Sequence, residues 1–377
     1  MASVDLFERL QTLSESACYE ASQGEELAAR LRRSIYHAAY GGGTKPLLKV
    51  LLSNACENNC AYCANRASAA FTRSALRPEE LARGFEEMLR RGQVQGLFLS
   101  SGLCGNAVRT MDRLLDTVEI VRKRIGFRGY IHLKIMPGAG DDQIERAGLL
   151  ADRISANLEA PSADRLGVIA PDKRFSDLLG ILGKVRVLRD ALPAFAPAGP
   201  TTQFVAGAAG ESDRELLHSA GLLYRSYGLS RVYFSGFRPV PGSPLAEAPA
   251  MPEERQRRLY QADALLRSYG FSAAELPYDE EGQLAGGADP KLLWATQHPE
   301  CFPVELNSAS RAQLLRVPGI GPLGAERLLA ARRRERLRSL SQLQRLGLLG
   351  ERCAPFVLLD GKRPDFQPHL PSIGTAA

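Results

Sequence analysis

From residue 47 onward, short apolar runs of strand length alternate with amphipathic stretches of helical period. The runs fall at 47–52, 96–100, 130–135, 153–158, 202–206 and 232–237, and the helical stretches between them at 78–91, 109–125, 141–151, 173–191 and 212–227. Strands that take turns with helices build a parallel sheet with helical crossovers, so the pattern predicts an α/β fold, a partial (β/α)6 barrel of the TIM type. Ligands of such sheets sit beyond the carboxyl ends of the strands, and the loops there are where chemistry is to be sought.

The periodicity outside this stretch divides the rest of the chain. Residues 1–45 read as a helical lead-in, from the spacing of Leu6, Leu10, Leu13, Leu27 and Leu31, ended by Gly41-Gly42-Gly43. The barrel is expected over 46–240, an irregular extension packed on it over 241–300, a compact all-α module over 301–364, and a loose, proline-containing tail over 365–377.

Composition narrows the setting. With 377 residues and 45% hydrophobic content, the chain can bury one large core and a smaller one. Asp5 and Glu8 stand where a secretory leader needs positive charge, and no apolar run has membrane-spanning length, so a soluble, cytoplasmic protein without membrane attachment is expected. Seven cysteines, three close together and four scattered, fit a metal site better than a disulfide framework. Residues 301–377 hold twelve Arg/Lys against six Asp/Glu, an excess equal to the net charge of +6, so the basic character is local to the C-terminus.

The three clustered cysteines, Cys56-Glu-Asn-Asn-Cys60-Ala-Tyr-Cys63, follow the first strand directly. Three thiolates on one loop can hold three corners of an iron–sulfur cubane and leave the fourth iron open to a small chelate. A zinc knuckle or a four-cysteine electron carrier remains the alternative, although no fourth ligand lies at similar spacing.

Cys-x3-Cys-x2-Cys after a first strand, with Tyr62 just before the last cysteine, resembles the radical S-adenosylmethionine superfamily. That resemblance implies a [4Fe-4S] cluster on Cys56, Cys60 and Cys63, S-adenosylmethionine chelated to the open iron, and Tyr62 against the adenine. It also implies a reducing electron-donor protein and cleavage of the sulfonium to a 5′-deoxyadenosyl radical. The second strand ends in Ser100-Ser101-Gly102, where the superfamily commonly has a Gly-Gly-Glu-like segment holding the methionine amine; the two serines depart from it.

Lys134 on the third strand, and Ser155, Asn157 and Glu159 at alternate positions of the fourth, put polar groups on one face. Buried inside a barrel they need partners, which the cofactor's ribose or ammonium supplies unless they satisfy one another. By resemblance, Gly207 belongs to the adenine-side strand, Phe237 and Arg238 close over the base, and Arg66 reaches the methionine carboxylate. Cys104 is a candidate hydrogen-atom donor, with a small buried thiol as the bland reading.

Near the C-terminus, residues 304–334 read VELNSASRAQLLRVPGIGPLGAERLLAARRR, two short amphipathic helices joined through Pro318, Gly319, Ile320 and Gly321. This closely resembles the helix-hairpin-helix module of DNA repair and uptake proteins, in which exposed backbone N–H groups at a helix start meet a phosphate. Arg327, Arg332 and Arg333 add positive charge, and a degenerate second unit follows around 340–350. The resemblance implies non-sequence-specific binding to the DNA backbone; the alternative is a hairpin used for protein contacts.

Together the two motifs resemble a branch of radical S-adenosylmethionine proteins described as DNA modification or repair proteins. The implied activity is base or sugar modification in DNA, with a DNA glycosylase-type partner. Other readings are an RNA or small-molecule substrate, or a DNA-binding iron–sulfur sensor without catalysis.

Overall fold

The computed structural model describes residues 4–18, 35–40 and 43–365. The backbone divides into two units, residues 1–256 and 257–377, so the segment 241–300 is shared between them.

The first unit opens with helix α1 (Val4–Cys18), whose Leu6, Leu10 and Leu13 are buried. Strand β1 (Ile35–Tyr40) pairs antiparallel with β2 (Gly43–Leu51), from Ile35↔Leu48 to Tyr40↔Gly43. The helical lead-in expected up to residue 45 is thus corrected over 35–40. Ile-Tyr-His-Ala-Ala-Tyr is short and followed by glycines, and its backbone pairs with β2 from Gly43 to Leu48, which outweighs local helical preference. The helical reading at Leu27 and Leu31 lies outside the described residues.

Helix α2 (Pro78–Arg90), β3 (Gly96–Ser100), α3 (Ala107–Glu119), β4 (Tyr130–Lys134) and α4 (Asp141–Leu150) follow. Then come β5 (Arg153–Ser155), α5 (Ala163–Ile169), α6 (Phe175–Ala191), β6 (Thr201–Ala206), α7 (Asp213–Tyr227) and β7 (Arg231–Gly236). The sheet runs β1 to β7 in sequence order, and every pair from β2 onward is parallel. Six parallel strands, each beside the next, form a curled half-barrel.

Two faces of this sheet are chemically distinct. Leu48, Val50, Leu97, Leu99, Ile131, Leu133, Ile154, Val232 and Phe234 are all essentially inaccessible, as are the helix residues Leu81, Phe85, Leu114, Leu115, Val118 and Leu216. Each fully buried leucine or valine is worth about 1.5–3 kcal/mol, so this sheet–helix layer holds the unit together. The intervening positions carry Lys49, Phe98, His132 and Ser155. Phe98 and His132 stack with centroids 4.0 Å apart, and His132 Nε2 lies 2.9 Å from Ser155 Oγ. Burial and then the charge of Arg153 lower the His132 imidazole well below its ordinary range, so it is neutral.

The fourth parallel strand is shorter than its apolar run suggests, ending at Ser155 rather than residue 158. The Thr202 hydroxyl interrupts the ladder, donating to the Ala156 carbonyl at 2.7 Å and accepting the Leu158 N–H at 3.0 Å. Glu159 then takes φ 64° before bridging to Phe204.

The second unit contains most of α8 (Glu253–Ser268), then α9 (Pro290–Gln297), β8 (Val304–Glu305), α10 (Arg311–Arg316), α11 (Pro322–Ala331), α12 (Leu340–Arg345), α13 (Gly350–Cys353) and β9 (Val357–Leu358). Ser310 caps α10 and Asp289 caps α9 through their side-chain oxygens. Leu306, Leu314, Val317, Ile320, Leu328, Leu343, Leu348 and Cys353 form the core, and β8 pairs parallel with β9. Among the described residues no helix is long and apolar enough to cross a membrane.

Candidate active site

The loop after β2 carries the three clustered cysteines and is tied down on every side. Glu57 N–H donates to the Leu103 carbonyl at 2.9 Å, Ala61 N–H to Ile169 at 2.8 Å, and Asn59 N–H to Asp172 Oδ2 at 2.6 Å. Arg73 reaches the carbonyls of Asn54, Asn65, Arg66, Ala67 and Ala69 at 2.7–3.2 Å. Gly102, at the end of the neighbouring strand, donates to Ser53 at 2.7 Å and comes so close that a Cβ there would overlap the Ala55 carbonyl and stand 3.2 Å from Cys56 Cβ. The glycine is required by that approach.

Cys56, Cys60 and Cys63 line one cavity of about 550 Å³ at the carboxyl end of the sheet. Of the residues singled out in the sequence, Tyr62, Ser101, Gly102, Lys134, Asn157, Glu159, Phe237 and Arg238 line it too. Five do not. Arg66 is buried and spends its guanidinium on the carbonyls of Cys63, at 3.2 Å, and Gly242. Ser155 is held by His132, and Ser100 lies within β3, its carbonyl accepting from Leu52 at 2.8 Å. Gly207 donates its N–H to Glu211 in the turn after β6. Cys104 is placed outside the cavity lining, its N–H bonded to Thr110 Oγ1 at 3.1 Å.

Lys173 is the group that sequence reasoning missed. From the loop between α5 and α6 its ammonium meets Glu159 Oε1 at 2.9 Å and the Tyr62 hydroxyl at 3.5 Å. The signal was indirect: a buried carboxylate demands a cation, and this loop stands at the same end of the sheet as Glu159. Burial alone would depress the Lys173 ammonium, but Glu159 and then the Cys60 thiol raise it above the ordinary lysine range. Burial pushes the Cys60 thiol up, opposed chiefly by Lys173. Burial and then Glu159 push the Tyr62 hydroxyl well above the usual phenol range. Tyr62 is therefore a neutral hydrogen-bonding ring beside a paired carboxylate and ammonium.

The donor set fits a cluster with an exchangeable corner. Three thiols share one rigid loop, and among the described residues no other cysteine lines the cavity. Nor do any three His, Cys, Asp or Glu among the described residues converge on a point one ion could occupy, a convergence that a cubane, with one thiolate per iron, does not need. Around the remaining space stand Ser101, Asn157, Glu159, Lys173, Gln203 and Ser235, groups suited to an amine, a carboxylate and sugar hydroxyls.

The family model for the radical SAM superfamily matches residues 50–223. These residues are a radical SAM superfamily domain. The superfamily's cofactors are a [4Fe-4S] cluster and S-adenosylmethionine, and the three thiols and the polar groups lining the cavity are of the types that such cofactors need. Among solved structures the chain is similar to HydG, a maturase of the [FeFe]-hydrogenase, with 16% identity and a TM-score of 0.47 over 70% of this chain and 61% of that one. It is similar also to HydG from Carboxydothermus hydrogenoformans, with 17% identity and a TM-score of 0.47 over 70% and 63% of the two chains. A third is methylornithine synthase (PylB), with 14% identity and a TM-score of 0.48 over 71% and 70%. The matched portion spans about three fifths of the HydG chains. No curated protein matches the sequence.

The sequence-derived hairpin lies within the second unit. Val317–Gly321 joins α10 to α11, with Gly319 at φ 84°, Ile320 buried and Gly321 as the N-terminal cap. A side chain at Gly319 would be strained and would meet Arg352 Cβ and the Leu349 carbonyl, each at 3.0 Å. Pro318 and Gly321 flank this turn as expected. Arg333 is exposed. Arg327 donates to the Leu346 carbonyl at 3.2 Å. Arg332 is half-buried and holds the carbonyls of Leu306 and Ala309, at 3.0 and 2.6 Å, which makes it a bracket within the unit rather than a free surface charge.

Proposed function

We propose that the protein is a radical S-adenosylmethionine enzyme acting on DNA. The observation that carries the chemistry is the cavity in which three loop thiols and the Tyr62–Glu159–Lys173 group face each other. When bound, the cluster supplies the electron that cleaves S-adenosylmethionine to methionine and a 5′-deoxyadenosyl radical. The chain's own part is to orient the ligand and keep water out. Tyr62 offers a ring face and a neutral hydroxyl, Glu159 an acceptor for ribose hydroxyls, and Lys173 a fixed cation that holds Glu159 in place. Ser101 and the backbone at Gly102 lie beside the iron loop, and Phe237 and Pro239 form an apolar wall.

The nucleic-acid part of the reading is supported by the glycine turn before α11. The first N–H groups of an α-helix have no partner within it, and its dipole favours an anion. Exposed Arg333 and Arg334 lie at the far end of the same helix. One backbone phosphate would meet the helix start and others along the same strand the arginines, since the ten-residue helix separates the two by about 15 Å, and neither contact reads bases. A base taken to the cavity would leave its stack first.

The deciding experiment is anaerobic reconstitution with iron and sulfide, reduction with dithionite, and incubation with S-adenosylmethionine and either duplex DNA, single-stranded DNA or tRNA. Formation of 5′-deoxyadenosine with a new nucleoside from digested DNA supports the proposal. A new nucleoside from tRNA alone assigns the substrate to RNA, and no 5′-deoxyadenosine under any condition overturns the enzymatic reading.

A further inference from the structure

The second unit holds a charge that the hairpin's own sequence does not announce. Lys291, in the first turn of α9, is only 7% exposed. Its Nζ donates to the Ile320 carbonyl at 2.6 Å and stands 4.6 Å from the centre of the Tyr269 ring. A buried ammonium is costly, and an apolar side chain would fill the same space without that cost.

Peptide geometry suggests what the charge does. The Ile320 carbonyl and the Gly321 N–H belong to one planar trans unit and point in opposite directions. A carbonyl drawn inward onto an ammonium therefore turns the Gly321 N–H outward, at the start of α11. The ammonium also polarises that peptide, which makes its N–H a stronger donor. Tyr269 holds the same residue from the side, its hydroxyl 3.2 Å from where a Cβ on Gly321 would stand.

The charged and titratable groups around Lys291 come from three helices, one of them by its cap, and the residue after a fourth. Asp289 caps α9, Arg352 and Cys353 belong to α13, Arg316 to α10, and Tyr269 follows α8. Asp289 is itself bonded to Arg352, so its charge is shared. Burial dominates over Asp289 and brings the Lys291 ammonium down to about 7.

We propose that Lys291 is a positioning residue for phosphate binding, aiming the Gly321 N–H at the anion and strengthening it as a donor. The inference rests on the DNA reading above. Lys291 itself touches no phosphate, which separates its effect from that of the surface arginines.

The test uses the full chain and a fluorescent duplex, with anisotropy read across about pH 6 to 8.5. Wild-type affinity is expected to fall about fivefold over that range, the difference between a charge-assisted and a neutral hydrogen bond. Lys291→Met binds about fivefold more weakly at the acid end and shows no such pH step, with an unchanged dependence on salt because no phosphate contact is lost. Lys291→Arg, which keeps its charge at every pH, keeps the affinity and loses the step. A folded Lys291→Met protein with wild-type affinity and wild-type pH profile overturns the assignment. The Gly321 amide resonance reads the same coupling without nucleic acid: it moves with pH near neutrality in the wild type and stays still in Lys291→Met. A static wild-type resonance refutes the positioning role; a moving one in a protein that binds no DNA refutes only the DNA reading.

Discussion

Replacing Lys173 with methionine tests the electrostatics of the cavity most directly. The substitution keeps the side-chain length but leaves Glu159, which is 3% exposed, without its 2.9 Å cation and with the neutral Tyr62 hydroxyl beside it. Breaking a buried ion pair by removing one partner costs about 3–5 kcal/mol. The expected loss is of that size. Urea unfolding of the cluster-free protein under reducing, anaerobic conditions measures it. The double variant Glu159→Gln/Lys173→Met should recover most of the loss, since neither charge is then stranded. A loss below about 1 kcal/mol would refute the argument that the two groups depend on each other.

Three other outcomes follow from the geometry. Cys60→Ala should abolish the visible absorbance of the reconstituted cluster while leaving far-ultraviolet circular dichroism unchanged, because the loop is held by hydrogen bonds that do not involve that thiol. Gly102→Ala forces a Cβ against the Ala55 carbonyl and the Cys56 side chain; a loss of about 1–3 kcal/mol in stability and a lower iron content per chain are expected, by calorimetry and iron assay. Because Lys291 is lowered to about 7 while an unfolded lysine titrates near 10.4, the unfolded state binds the extra proton between these values. Stability of the second unit should therefore rise with pH above neutrality, by up to about 1.4 kcal/mol per unit, as DNA affinity falls; thermal melts of wild type and Lys291→Met check the sign.

The sequence pattern located the strands of the half-barrel because six short runs with apolar residues at alternate positions are separated, one after another, by stretches of helical length. It misplaced β1 because a six-residue strand is defined by its partner across a turn, and nothing in Ile-Tyr-His-Ala-Ala-Tyr itself excludes a helix. It overran β5 because the residue that ends it, Thr202, lies on another strand. The site was legible where spacing along one loop defines it, as at Cys56, Cys60 and Cys63. Lys173 and Lys291 were not legible as partners: each meets a group distant in sequence, Lys173 Glu159 and Lys291 Ile320, and the pairings exist only once helices are packed. Ser155 shows the reverse case, a residue of the right type and alternation whose hydroxyl is already taken by His132.

Arg73 concentrates the restraint of the cysteine-bearing loop in one side chain. One guanidinium gathers five carbonyls around that loop, so truncating it would release five anchors at once and loosen the spacing of the three thiols with them.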